Sequence, residues 1–241
     1  MIRATDFEFR NRAAVFGVIY GVTFSMLSFD HLPAGVRLGL WLAPQIGYRA
    51  LTCMQMIFGV GSAFMVLGGV WRTWGASYLG METVHDKAVH VEALHADGPY
   101  RYVRNPLYFG NLLMTIGMGL LAPRYVYPVQ AALIIIFLYR LIGREEAELT
   151  KSQGEPYLAF QRAVPRLFPA LTPRLPGSDR KPDWKTGWAT EAWYWSFTLG
   201  FIGMSASMQM RWYFAGMVAA PFAGMVAEKW LKRTRAEAAS A

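Results

Sequence analysis

The sequence predicts an all-α integral membrane protein of about six transmembrane helices, with its long polar loops on the cytosolic side. Three observations point there. Of 241 residues, 54% are hydrophobic and only 17% charged, whereas a soluble domain carries about 25% charged residues. Six segments, 13–29, 53–71, 106–122, 125–143, 192–208 and 212–228, each approach the run of about 20 apolar residues that a helical crossing needs. With six crossings, nineteen of the 24 Lys and Arg fall on the side of the termini and four on the other, with Arg140 inside a segment. That split is a positive-inside signal, so both termini are predicted to be cytoplasmic.

Taken in order, segment 13–29 resembles a signal peptide only in position. FDHLP follows it with no small-x-small cleavage site, so it reads as a retained anchor. LGLWLAP at 38–44 is too short to cross and is predicted to lie at the interface. Segment 53–71 leads into a polar loop, 72–104. An apolar hairpin, 106–122 and 125–143, leads into a second loop, 144–190. Loops longer than about 12–15 residues are usually functional or disordered, and these two share the cytosolic face. Pro-rich punctuation at 165–182 precedes a last apolar pair. The chain thus divides into an N-terminal part, 1–56, a core, 57–169, and a C-terminal part, 170–241.

Composition narrows the function. Mean hydropathy is +0.21, and apolar content this high excludes a disordered chain. The net charge of +8 in so apolar a protein points to membrane lipids with an anionic face, and not to nucleic acid. The single cysteine, Cys53, excludes an intrachain disulfide and any cysteine-based metal cluster. His85, His90 and His95 are five residues apart and do not converge as ligands on a helix, so no metal site is expected. Gly59, Gly61, Gly68 and Gly69, and Gly216 with Gly224, read as helix-packing positions. Nothing in the sequence indicates an oligomeric state.

Two stretches could carry chemistry. In GPYRYVRNPLYFG, from Gly98 to Gly110, Gly-Pro opens a turn, Asn105 stands at an N-cap position and Pro106 suits the first turn of a helix. Tyr and Arg gather here either as an interfacial girdle or because a helix N-terminus beside Arg101 and Arg104 makes an anion site. In REEAEL, from Arg144 to Leu149, Arg144 and Glu148 are i,i+4 neighbours that can pair on a solvated face. Arg140 sits inside an apolar run, where an ionisable group is either functional or snorkels to the headgroups.

These two blocks, together with the upstream LGGVWRTWGASYLG and the downstream GEPYLAFQRAVPRLFP, resemble the superfamily of isoprenylcysteine carboxyl methyltransferases and phospholipid methyltransferases over residues 57–169. The resemblance implies a membrane-embedded methyltransferase that uses S-adenosyl-L-methionine, with the cytosolic loops forming the cofactor pocket, and takes a lipophilic small-molecule or lipid acceptor. It assigns cofactor contacts to Glu92, Ala93, Leu94 and His95 before the turn, and to Tyr100. It extends them to Arg104, Asn105, Pro106, Leu107 and Tyr108 around the helix start, and to Glu145 on the next helix.

This sequence departs from the family in two places. Asn105 stands where the family has histidine, and Leu141 where it has an arginine that positions the prenylcysteine carboxylate, with Arg140 and Arg144 on either side. These departures bear on a prenylcysteine substrate more than on methyl transfer. For a carboxylate acceptor, Arg140 or Arg144 would orient it; for an amine, Glu146 would be the base. Membrane sterol and enone reductases, which use NADPH, share a similar Gly-x-Tyr turn and remain an alternative, as does a non-enzymatic membrane binding or transport component.

Overall fold

The computed structural model describes residues 3–79 and 96–239. Their regular structure is helical: α1 Asp6–Arg10, α2 Arg12–Ser25, α3 Ala34–Ile46, α4 Ala50–Leu79, α5 Pro106–Gly119, α6 Val126–Gln153, α7 Glu155–Ala163, α8 Trp184–Thr190, α9 Ala192–Ser207 and α10 Met210–Ala239. Each of the six segments expected to cross a membrane lies mostly in a helix, with 13–29 and 106–122 running past the ends of α2 and α5. By length and composition, α4 and α6 are long and apolar enough to do so. The 14-residue α2 and α5 and the 16-residue α9 reach only about 21–24 Å at 1.5 Å per residue.

Residues 38–44 belong to α3, a 13-residue helix packed against α4 and, as expected, too short to cross. Two expectations need adjusting. The first loop begins later than expected, because α4 runs on to Leu79. The second also starts late: α6 continues through the charged run to Gln153, and α7 follows at once. REEAEL is therefore helical. No glycine or proline interrupts it until Gly154 and Pro156, and long unbranched Glu, Lys, Arg and Leu side chains favour helix.

α4 is the hub, with α3, α5, α8 and α9 packed around it. Its crossing with α5 is close because neither backbone carries a side chain at the contact. A Cβ on Gly110 would sit 2.4 Å from Arg72 Cγ and 2.7 Å from the Gly68 carbonyl oxygen, and one on Gly117 would sit 2.5 Å from the Gly61 carbonyl oxygen. Gly59, by contrast, faces open space. Gly110→Ala is therefore expected to cost about 1–3 kcal/mol or more by overpacking. Gly59→Ala should be neutral or slightly stabilising, since Gly in a helix interior is about 0.5–1 kcal/mol worse than Ala. Melting temperatures of the two variants in detergent check the contrast.

Two apolar clusters fill the spaces between helices. Phe58 and Met65 of α4, Met114 and Met118 of α5 and Tyr194, Phe201 and Met204 of α9 form one. Ile134, Leu138 and Ile142 of α6 form the other with Leu112, and Phe16 and Ile19 of α2 pack on it. The α5–α6 hairpin thus carries its charged, C-terminal end of α6 back to the N-terminal end of α5.

Candidate functional site

The turn at Gly98 begins this end of the molecule. Gly98 has φ +55°, and a Cβ there would lie 2.3 Å from the Tyr78 ring, so glycine is required on both counts. A short 3-10 turn, Gly98–Arg101, then delivers Tyr100 into a buried cluster with Tyr157, Phe160 and Val164. Burial first, and then the nearby charges of Glu145 and Glu191, push its phenol well above the usual range.

α5 starts at Pro106, as expected, but Asn105 does not cap it with its side chain. The Asn105 amide instead donates to the Arg166 carbonyl at 2.9 Å. Pro106 is buried against Gly75 of α4, and the Leu107 carbonyl accepts from Arg72 Nη1 at 3.2 Å. One residue on, the Tyr108 hydroxyl donates to Glu145 Oε1 at 2.5 Å. The two blocks that carry the resemblance thus meet in a direct phenol–carboxylate contact.

The other expected residues are engaged within the protein. Glu146 is 4% exposed and accepts from Arg104 Nε at 2.9 Å and Arg166 Nη2 at 2.6 Å. Arg104 also donates from Nη1 to the carbonyls of Gln161 and Val164. Both oxygens of the carboxylate are taken up by guanidinium groups, so this geometry gives Glu146 and Arg104 the work of a clasp. Arg140 donates to Glu8 at 2.6 Å, and its own carbonyl accepts from the Ala4 N–H at 3.0 Å. The Arg140 bond holds the Glu8 carboxyl below its usual range. Arg144 pairs with Asp6 at 2.7 Å and Glu148 at 2.9 Å.

Both arginines therefore fasten α1 to the end of α6. Between Arg144 and Arg12 lies the ring of Phe9, 4.8 Å from each guanidinium carbon. Leu141 is fully buried in the same cluster as Phe9 and Phe137. Glu92, Ala93, Leu94 and His95, with His85 and His90, lie outside the described residues.

Arg72, Glu191 and Asn111 are among the participants not singled out from the sequence. Arg72 and Glu191 form a bidentate pair, Nε to Oε2 at 2.6 Å and Nη2 to Oε1 at 3.0 Å. Arg72 also reaches Asn111 Oδ1 at 2.7 Å. The available signal was Glu191 itself, the one acidic residue between Asp183 and Glu228, since a carboxylate set among apolar helices is rarely buried without a partner.

The Pro-rich stretch is sewn onto the turn. Arg104 N donates to the Pro165 carbonyl, Ala170 N to the Tyr102 carbonyl and Arg174 N to the Arg101 carbonyl, at 2.8–2.9 Å. The Ser178 hydroxyl donates to Asp97 at 2.6 Å and holds that carboxyl below its usual range.

Comparison with known proteins finds both blocks within one matched segment. Residues 55–154 match the family model of phospholipid methyltransferases. The cobalt-zinc-cadmium resistance protein CzcN of Cupriavidus metallidurans is 26% identical over 70% of this chain and 69% of its own length. The protein-S-isoprenylcysteine O-methyltransferase of Schizosaccharomyces pombe is 25% identical over 61% and 74%. The nickel-cobalt-cadmium resistance protein NccN of Alcaligenes xylosoxydans is 24% identical over 69% and 68%. No solved structure matches. Residues 55–154, which hold both Tyr108 and Glu145, thus resemble the phospholipid methyltransferases, and the chain is distantly similar to a protein-S-isoprenylcysteine O-methyltransferase.

Proposed function

We propose that this protein is an integral-membrane methyltransferase that takes its methyl group from S-adenosyl-L-methionine and passes it to a lipophilic acceptor. The observation that carries this reading is the Tyr108–Glu145 contact inside the segment that matches the methyltransferase family. Glu145 also fits a cationic ligand. Glu8, Glu146, Glu148 and Glu191 are each paired with an arginine, whereas Glu145 has no ion pair among the described residues.

Membrane placement draws support from the outer surface. Val60, Ile136, Leu199 and Val218, on four different helices, are 58–65% exposed, an outward apolar face suited to lipid. The arginine-rich end bearing Tyr108 and Glu145 is then cytosolic by the positive-inside rule, six crossings return both termini there, and the acceptor arrives laterally from the bilayer.

S-adenosylmethionine, when bound, supplies a methyl on a sulfonium, and its transfer needs alignment and exclusion of water more than acid–base help. Glu145 would hold the ammonium, with Tyr108 fixing the carboxylate's orientation. The N–H groups of the first turn of α5 would take the cofactor carboxylate. Tyr100 would add an aromatic wall. Because Arg104 and Arg166 already occupy Glu146, an amine acceptor would lose its proton elsewhere.

Glu145→Gln is expected to weaken S-adenosylhomocysteine binding about tenfold or more, the worth of a charge-assisted hydrogen bond. Glu148→Gln, whose carboxylate serves Arg144, should leave binding within about twofold, since a half-exposed i,i+4 pair contributes little. Calorimetry of the purified protein measures both. Binding of NADPH in place of S-adenosylhomocysteine would overturn the reading in favour of a reductase.

A further inference from the structure

A second site lies outside the matched segment. Between α8 and α10 is an open groove of about 430 Å³ lined by Trp184, Lys185, Trp188, Ala189, Ala227 and Trp230. Its floor is packed, since Ala189 is 6% and Leu231 3% exposed. Its wall is braced: Trp188 stacks on Trp195 at 5.0 Å, and the Trp195 indole N–H donates to Thr73 Oγ1 at 2.9 Å. Yet the three lining indoles are 48–53% exposed, and their N–H groups make no hydrogen bond among the described residues.

Positive charge predominates around the groove, with Lys185, Lys229, Lys232 and Arg233 against Asp183 and Glu228. Asp183 accepts from the Thr186 backbone N–H and hydroxyl, and Glu228 pairs with Lys232 at 2.7 Å. Lys185, which lines the groove, and Lys229, beside Trp230 in sequence, have no ion pair among the described residues. α10 changes character at this level, from the apolar 212–228 to Lys229, Trp230, Lys232 and Arg233. Indole rings with a free N–H suit the depth of glycerol esters, where one side is apolar and the other wet. An unpaired ammonium at the same depth suits a phosphate.

We infer that this groove binds one anionic phospholipid, with its glycerol and upper acyl chains on Trp184, Trp188 and Trp230 and its phosphate on Lys185. The inference rests on the membrane placement proposed above but not on methyl transfer.

The test is native mass spectrometry of the full chain released from nanodiscs of equal phosphatidylglycerol and phosphatidylcholine. The wild type is expected to retain one phosphatidylglycerol with a preference of about fivefold or more, the worth of one lysine near a lipid surface. Lys185→Gln should remove the headgroup preference. Trp188→Ala with Trp230→Ala should remove retention of either lipid. Both variants alter exposed side chains, and an unchanged melting temperature certifies their folding. Equal retention of the two lipids by the wild type, or a preference that survives both variants, would overturn the inference. S-adenosylhomocysteine binding, measured on the same samples, separates the two proposals: lipid selectivity without it removes the methyltransferase reading alone, and the converse removes this site alone.

Discussion

Glu191→Ala is expected to destabilise the protein more than any change at its surface. The Glu191 side chain is fully buried and that of Arg72 is 7% exposed. Removing the carboxylate leaves a guanidinium between the rings of Trp193 and Tyr194, whose centroids lie 5.1 and 5.5 Å away, with only neutral hydrogen-bond partners. Breaking a buried pair from one side costs about 3–5 kcal/mol, a large part of the 5–15 kcal/mol that folded domains typically have. In a chain of this size that corresponds to a melting temperature lower by roughly 6–20 °C. Replacing both partners by apolar residues, Arg72→Met with Glu191→Leu, should recover most of the loss, because no charge is then stranded. A single variant within a few degrees of wild type would refute the account. Arg72 also holds the Leu107 carbonyl, so the single variant should disturb the start of α5 as well.

Glu146→Ala should come second, at about 3 kcal/mol. It leaves Arg104, whose side chain is 8% exposed, with only the Gln161 and Val164 carbonyls. It also removes a partner of Arg166, whose side chain is 31% exposed and can turn to water. Arg166→Ala should therefore cost much less than Glu146→Ala. Because this clasp ties α6 to the segment after α7, hydrogen exchange is expected to rise at residues 101–105 and 164–170 before it rises in α4. Uniform exchange across the molecule would mean that the clasp is not local.

The helices were legible because apolar runs announce themselves, and the resemblance assigned Tyr108 and Glu145 to one pocket, although their direct contact is visible only in the structure. Helix ends were harder. The charged run after Gly143 suggested a loop, although helix-favouring residues continue unbroken to Gly154. Ion-pair partners were harder still. Arg72 and Glu191 are 119 residues apart, and no local periodicity links them. The same holds for Arg140 and Arg144, which looked equally suited to an acceptor carboxylate until α1 supplied Glu8 and Asp6.

The stitching of residues 165–183 onto the turn bears on how the chain is made. The carbonyls of Arg101, Tyr102 and Ser77 receive their hydrogen bonds from Arg174, Ala170 and Asp183, and Arg72 receives its counter-charge from Glu191. All four of these partners emerge from a ribosome after the matched segment, 55–154, is already complete. A nascent chain stopped at its end therefore holds a cationic Arg72 with no carboxylate facing it and a turn with no outer strand of backbone beside it. Completion of this end of the molecule is thus a late event, finished when α8 and the start of α9 arrive.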